Sequence, residues 1–357
     1  MQNNSPYGQI HVKYDNYSAQ GEPSQQNPEP PVVTPMTWSE RWEIVLTSGI
    51  IGLCVLAFYY AGDPMVAFIA GTPIADYYAD SQIVYMAVQI VYSLVTILFP
   101  FAVGGFFLQR IHDDRDILPL NKPNSGKNLV FAVGIGFVSL VISNYITTFF
   151  VLGAESFGIF FETGEAMPVE STSDFFWQLL GTAAVPALVE EFAIRGVVMQ
   201  SLRKYGDVLA ITVSAVIFAL LHGNMVQAPF ALILGCVIGW LVIVTDSLWT
   251  GIAIHFMNNA YAVVMNTLME QIPEHIYMIV FLLINAVGVA LGVMAFFRID
   301  CKYKSMDTFY EPGGNTSGAR MSYRLQGILL AFLSPPMAAS VVVLVMQLVE
   351  RIHFIGW

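Results

Sequence analysis

Three ionisable side chains lie close together in an otherwise apolar stretch between Phe175 and Gln200, namely Glu190, Glu191 and Arg195. A charged residue at membrane depth costs about 2.5–3.5 kcal/mol on insertion scales, so such residues pair with one another or serve a function. Residues four apart share one face of a helix, so Glu191 and Arg195 can form an ion pair. Glu190 is rotated by about 100° from Glu191 and points elsewhere, which leaves it available for chemistry.

Two other apolar segments contain histidine and asparagine. The sequence "FALLH" ends at His222, and "IHFMNNAY" contains His255 and Asn259. The pair His255 and Asn259 lies four residues apart on one helix face, and Phe218 and His222 are spaced in the same way. A glutamate, two histidines and an asparagine on neighbouring segments, with only Arg195 as a nearby cation, are difficult to explain as structural residues alone. We interpret them as a functional site.

The chemistry that these residue types favour is peptide hydrolysis by activated water. Such a reaction needs a base for the water and hydrogen-bond donors for the developing oxyanion. A metal-dependent alternative exists, because two histidines and a glutamate can also hold zinc with one position open. The zinc ligands would then be Glu190, His222 and His255. We favour a site without a metal or other cofactor, because the sequence contains no His-Glu-x-x-His helix.

The composition places these residues in a membrane. The chain is 56% hydrophobic and 11% charged, whereas soluble domains contain about 25% charged residues. Its long apolar runs are sufficient to cross a hydrocarbon core of about 30 Å. The net charge of −11 argues against a nucleic-acid partner. The three cysteines have no paired spacing, so neither a disulfide framework nor a cysteine zinc site is indicated.

We predict an all-α polytopic membrane protein with about eight or nine transmembrane helices around an intramembrane polar cavity. Residues 1–36 are rich in Gln, Asn, Ser and Pro, and this composition predicts a disordered tail before a transmembrane domain at 37–357. The predicted apolar segments are 43–61, 82–108, 128–152, 175–201, 208–222, 227–245, 248–269, 276–297 and 325–349. Pro335 and Pro336 should kink or split the last segment.

The distribution of basic residues predicts the topology. If the N-terminus is cytoplasmic, the outside loops 62–81, 153–174 and 270–275 contain no Lys or Arg, and Arg351 is the single basic residue outside. A re-entrant final segment would instead place Arg351 inside. The expected location is therefore the plasma membrane of a bacterium with a cytoplasmic N-terminus, and the lipid bilayer is the first expected partner.

The same topology predicts depths for the polar residues. At about 1.5 Å per residue, His255 lies roughly 10 Å, Glu190 roughly 16 Å and His222 roughly 21 Å from the cytoplasmic ends of their helices. All three can therefore meet in one cavity in the cytoplasmic half or near the midplane. Three glycines should allow the helices to approach closely there, namely Gly223, Gly235 and Gly239.

In this order and spacing, three motifs resemble those of the CAAX protease and bacteriocin-processing (CPBP) family of intramembrane endopeptidases, which are related to type II CAAX prenyl endopeptidases. The motifs are "EEFAIR" (190–195), "FALLH" (218–222) and "HFMNN" (255–259). The resemblance covers roughly residues 170–265, which would form the catalytic core. It implies a fold of about eight helices with a cavity that is accessible from the cytosol.

The resemblance also implies roles for individual residues. Glu190 and His222 would activate a water, while His255 and Asn259 would hold the oxyanion. Three supporting positions complete the motifs, namely Glu191, Arg195 and Phe218. The expected partner is a membrane-associated peptide or protein substrate, lipidated or bacteriocin-like. The alternatives are a non-proteolytic binding or immunity protein of the same fold, a zinc-dependent protease, and a transporter, against which the absence of an internal repeat argues.

Overall fold

The structure is a computed structural model that describes residues 36–78, 80–111, 120–123, 125–162, 168–299 and 317–354. Its long helices, numbered here along the chain, are α1 (Trp38–Ala70), α2 (Gln82–Ile111), α3 (Gly126–Ser156), α4 (172–203), α5 (Asp207–Leu221), α6 (Gln227–Thr245), α7 (Leu248–Gln271), α8 (Glu274–Phe296), α9 (Ser317–Leu333) and α10 (Pro335–Glu350). A single helical turn, Ala75–Tyr78, precedes α2. Two short strands, β1 (Ile159–Phe161) and β2 (Ile352–Phe354), form an antiparallel pair.

All nine predicted apolar segments are helical, which confirms the all-α fold of a polytopic membrane protein. Polar caps set several of the helix starts. Thr37 and Glu40 form a capping box at α1, and the side chain of Ser171 accepts from Asp174 N at the start of α4. The last segment is split at Ser334, where α9 and α10 meet at a bend of 76°, as the two prolines predicted. Residues 1–35 of the predicted tail at 1–36 lie outside the described residues.

Five helices of the described part of the chain are long and apolar enough to cross a membrane, or six if α9 and α10 form one broken span. The five are α1, α2, α3, α6 and α8. The helices that contain the candidate site are not among them. Helix α5 has 15 residues, and α4 and α7 contain the polar side chains. The expectation of eight or nine spans therefore stays a prediction.

One end of the helix bundle, here called the N-terminal end, joins segments that were predicted to share a side. Lys204 Nζ lies 2.7 Å from Glu43 Oε2, so the end of α4 meets the start of α1. The hydroxyl of Ser247 donates to Asn121 O at 2.6 Å and joins the turn between α6 and α7 to the segment before α3. This grouping is the one that the basic residues predicted, although it does not show which side is cytoplasmic.

The opposite end, here called the strand end, contains the acidic loops and the β1–β2 pair. Val169 N donates to Glu270 Oε2 at 3.2 Å, and Glu162 N donates to Arg351 O at 3.0 Å. Because β2 directly follows α10, the broken final segment finishes at the strand end. A re-entrant final segment, which would return Arg351 to the N-terminal end, is contradicted by this pairing.

Helix α4 lies at the centre of the packing around the candidate site. It contacts α2, α5 and α7, and α7 in turn packs against α3. From Ala193 to Arg203 every residue of α4 is buried. Two π-helical stretches, Leu179–Ala184 and Phe192–Met199, interrupt the α-helical hydrogen bonding on either side of Glu190. Such insertions are frequent at functional sites, because they change the direction of neighbouring side chains.

Candidate active site

The predicted ion pair is confirmed. Arg195 Nη1 donates to Glu191 Oε1 at 2.9 Å, and both side chains are fully buried. Arg195 Nη2 donates to the carbonyl of Gly235 on α6 at 3.2 Å. A Cβ atom at Gly235 would lie 3.3 Å from this nitrogen, so the glycine allows α6 to approach the guanidinium. The pair thereby links α4 to α6 without exposing either charge.

His255 connects the two adjacent glutamates. Its Nδ1 lies 2.9 Å from Glu191 Oε1, and because a carboxylate only accepts, Nδ1 carries the hydrogen. Its Nε2 lies 3.9 Å from Glu190 Oε2. The sequence interpretation instead expected His255 and Asn259 to face one oxygen. In the structure both ring nitrogens of His255 face carboxylates, and the imidazole is buried.

Phe218 and His222 share one helix face, as predicted, with ring centroids 4.8 Å apart. His222 Nδ1 lies 2.8 Å from Phe218 O. A carbonyl accepts, so Nδ1 donates, and the neutral imidazole keeps Nε2 as a proton acceptor. The Phe218 ring also lies 4.4 Å below the Arg195 guanidinium and 5.7 Å from the His255 ring. Phe218 therefore separates the buried ion pair from His222 and holds both in place.

Asn259 is positioned by the backbone of α4. Pro186 has no N–H to donate to the carbonyl of Thr182, four residues earlier. The Asn259 amide donates to this carbonyl at 3.0 Å. Asn258 donates to Asn259 Oδ1 at 2.8 Å and fixes the orientation of its amide group. Because an amide nitrogen has two hydrogens, Asn259 keeps one donor for another acceptor.

These residues divide between a cavity and the protein interior behind it. A cavity of about 860 Å³ is lined by Glu190, His222, Asn258 and Asn259. Glu191, Arg195 and His255 are buried and do not line it. We expected Glu190, His222 and His255 to share one cavity. Glu190 and His222 do line the same cavity, whereas His255 lies in the interior with its Nε2 3.9 Å from Glu190 Oε2.

Several site residues were not predicted as such from the sequence. Asn258, Thr182 and Gln227 line the cavity, and their only signal was a polar side chain in or beside an apolar segment. Gly251 was also missed, although a Cβ atom there would lie 2.7 Å from Glu191 Oε2. Gly223, which was expected to serve helix packing, instead has φ +66° in the turn after α5, a conformation that favours glycine.

The zinc alternative, with Glu190, His222 and His255 as ligands, stays a prediction. No group of three His, Cys, Asp or Glu side chains within the described ranges is arranged to hold a metal ion. His255 directs Nδ1 to Glu191 and His222 directs Nδ1 to a backbone carbonyl, contacts that metal-binding histidines also make with their second ring nitrogen. The Nε2 of His255 lies 3.9 Å from Glu190 Oε2.

The fold and the site together define a polytopic helical membrane protein with a polar cavity between its helices. Residues 172–261 match the family model described as "Type II CAAX prenyl endopeptidase Rce1-like". This match confirms the resemblance that the three motifs predicted, and the helices outside 172–261 lie beyond it. No curated protein matches the chain significantly, and neither does any solved structure.

Proposed function

We propose that the protein is an intramembrane endopeptidase that hydrolyses a peptide bond with water activated by Glu190 and His222. One observation carries the proposal. Glu190 on α4, His222 directly after α5 and Asn259 on α7 line the same cavity, and all three lie in the region that matches the endopeptidase family. A base and an oxyanion donor facing one space are what peptide hydrolysis requires.

The reaction begins with water in the cavity beside Glu190. As the water oxygen attacks the peptide carbonyl carbon, one water proton passes to the Glu190 carboxylate or to His222 Nε2. The carbonyl oxygen becomes an oxyanion, which the free amide hydrogen of Asn259 stabilises. When the C–N bond breaks, the protonated base returns its proton to the leaving amine. The products are a carboxylic acid and an amine, and the base is regenerated.

Glu191, Arg195 and His255 are positioning residues in this proposal. Their hydrogen bonds run in a chain from Gly235 O through Arg195 and Glu191 to His255 Nδ1. The chain holds the His255 ring so that Nε2 faces Glu190. His255 therefore borders the Glu190 carboxylate and affects the orientation of the base.

The proposed substrate is a membrane-associated peptide or protein. A cavity between membrane helices excludes most soluble proteins, whereas a tethered peptide is held at a high local concentration. The test is cleavage of a membrane-tethered peptide library by the purified protein in lipid nanodiscs, with Glu190→Gln as the control. Cleavage by the wild type alone is the expected result. Binding without cleavage would favour a non-proteolytic binding protein. A protein that neither binds nor cleaves the peptides would contradict both the protease and the binding-protein hypotheses.

A further inference from the structure

The cavity extends from Glu190 toward the strand end. On α4 its lining residues are Gly181, Thr182, Pro186 and Glu190, and none follows Glu190. On α7 they begin at Asn258 and continue to Asn266. The part of α4 that lies beyond Glu190 toward the N-terminal end is buried from Ala193 to Arg203. The described helices therefore close the site toward the N-terminal end, which the basic residues predict to be cytoplasmic.

The part of the cavity nearest the strand end is lined by uncharged amide, hydroxyl and phenol groups. At about 1.5 Å per residue, Asn144 on α3 and Asn266 on α7 both lie roughly 27 Å from the N-terminal ends of their helices. The remaining groups of this kind there include Tyr85, Gln89, Tyr145 and Thr148. Within the described residues, Glu190 is the only carboxylate of the lining, and no Lys or Arg lines it.

Asn144 and Asn266 have unused hydrogen-bonding capacity. Neither side chain makes a hydrogen bond to another described residue, and both are exposed to the cavity. An amide at membrane depth is costly unless water or a ligand pairs with it. The peptide group of an extended chain supplies the matching acceptor and donor. A charged side chain would find no counterion there, and an acyl or prenyl chain would leave the amides unpaired.

From these observations we infer that the outer part of the cavity, lined by Asn144, Tyr145, Thr148 and Asn266, is a subsite for an uncharged, extended peptide segment that enters from the strand end. The inference rests on the proposed function for the identity of the ligand as substrate. The side of entry follows from the cavity alone. In this arrangement, the scissile bond lies at Glu190 and the bound segment continues toward β1 and β2.

The side of entry is tested by thiol labelling in sealed vesicles of both orientations. The background replaces the native cysteines (Cys54→Ala, Cys236→Ala and Cys301→Ala), and Asn266→Cys reports on the cavity. Glu274→Cys marks the strand end and Lys127→Cys marks the N-terminal end. We expect an impermeant maleimide to label Asn266→Cys in the orientation that labels Glu274→Cys. If Asn266→Cys is labelled in the orientation that labels Lys127→Cys, or in neither orientation, the inference is wrong.

The chemistry of the subsite is tested by equilibrium binding to Glu190→Gln protein, which needs no turnover. The probe is a fluorescent library of uncharged decapeptides, compared with the same peptides carrying lysine. Asn144→Leu and Asn266→Leu should each raise Kd by about two- to tenfold, because one hydrogen bond is worth about 0.5–1.5 kcal/mol. Thr267→Val is the matched control, since Thr267 is buried on α7, bonds to Val263 O and does not line the cavity.

The two proposals fail in different ways. If the uncharged peptides bind with this asparagine dependence but are not cleaved by the wild type, the subsite stands and the protease fails. If they are cleaved but both asparagine variants behave like Thr267→Val, the protease stands and the subsite is wrong. The subsite is also wrong if no uncharged peptide binds, or if lysine peptides bind as tightly.

Discussion

The two halves of the polar interior differ in both charge and access. Behind the cavity, Glu191, Arg195 and His255 form a charged cluster in which the first two side chains are 0% exposed. In the cavity, the Glu190 side chain is 25% exposed, and the groups toward the strand end are neutral amides and hydroxyls. A single step along α4 separates the two environments. Adjacent glutamates can therefore serve stability and chemistry separately, because one residue of helix turns a side chain by about 100°.

The largest expected effect is the loss of turnover in Glu190→Gln. The substitution keeps the size of the side chain and removes the base, and general-base catalysis contributes about 10²–10⁴-fold. Peptide cleavage should fall by that factor, while thermal stability in nanodiscs stays near that of the wild type. Glu274→Gln, at the exposed start of α8, is the control and should have normal turnover. Near-normal cleavage by Glu190→Gln would mean that the base lies elsewhere.

The adjacent substitution Glu191→Gln should act on stability. It leaves the Arg195 guanidinium buried without its carboxylate, and breaking a buried pair in this way costs about 3–5 kcal/mol. The expected results are a lower midpoint of thermal unfolding and a lower abundance in the membrane. Replacing both partners, as in Glu191→Gln with Arg195→Met, should recover part of the loss. A stable but inactive Glu191→Gln protein would mean that Glu191 takes part in catalysis, so that the buried cluster and the cavity act as one catalytic site.

Asn259→Ala should reduce turnover by roughly 10²–10³, the range for the loss of one oxyanion donor. The protein should remain folded, because the lost hydrogen bond to Thr182 O is a single neutral contact. Asn258→Ala is the comparison, since Asn258 acts through Asn259 and should have the smaller effect. The measurement is the cleavage rate at saturating peptide. An unchanged rate in Asn259→Ala would show that Asn259 does not stabilise the oxyanion.

Gly251→Ala examines how tightly the charged cluster is packed. The added methyl would lie 2.7 Å from Glu191 Oε2 and 2.9 Å from Val242 Cγ2, so overpacking should cost about 1–3 kcal/mol. Gly153→Ala on α3 is the matched control, because no atom lies within 4 Å of its Cβ position. The unfolding midpoint should decrease only for Gly251→Ala. An equal response of the two variants would mean that the cluster tolerates displacement.

Local spacing was sufficient to predict some of these contacts. The Glu191–Arg195 pair and the Phe218–His222 contact follow from a separation of four residues within one helix. The role of His255 could not be predicted in this way, because its contact with Glu191 joins positions 64 apart in sequence. The Asn259 contact with Thr182 O likewise joins positions 77 apart in sequence. Such contacts are set by how α4 and α7 pack, which periodicity does not encode.

The smallest expected effect is that of metal removal, which should leave turnover unchanged. Zinc would bind Glu190 and the Nε2 atoms of His222 and His255, whose Nδ1 atoms donate to Phe218 O and to Glu191. A zinc bound there would itself polarise the substrate carbonyl, and Asn259 would not be needed as a donor. We expect purified protein to contain far less than one zinc per chain and to keep its cleavage rate after exhaustive chelation. Elemental analysis before and after chelation measures the zinc content, and peptide cleavage measures turnover. The Glu190→Gln protein gives the background cleavage rate. Stoichiometric zinc, with activity that chelation removes and zinc alone restores, would contradict the metal-free mechanism and make those three residues ligand candidates.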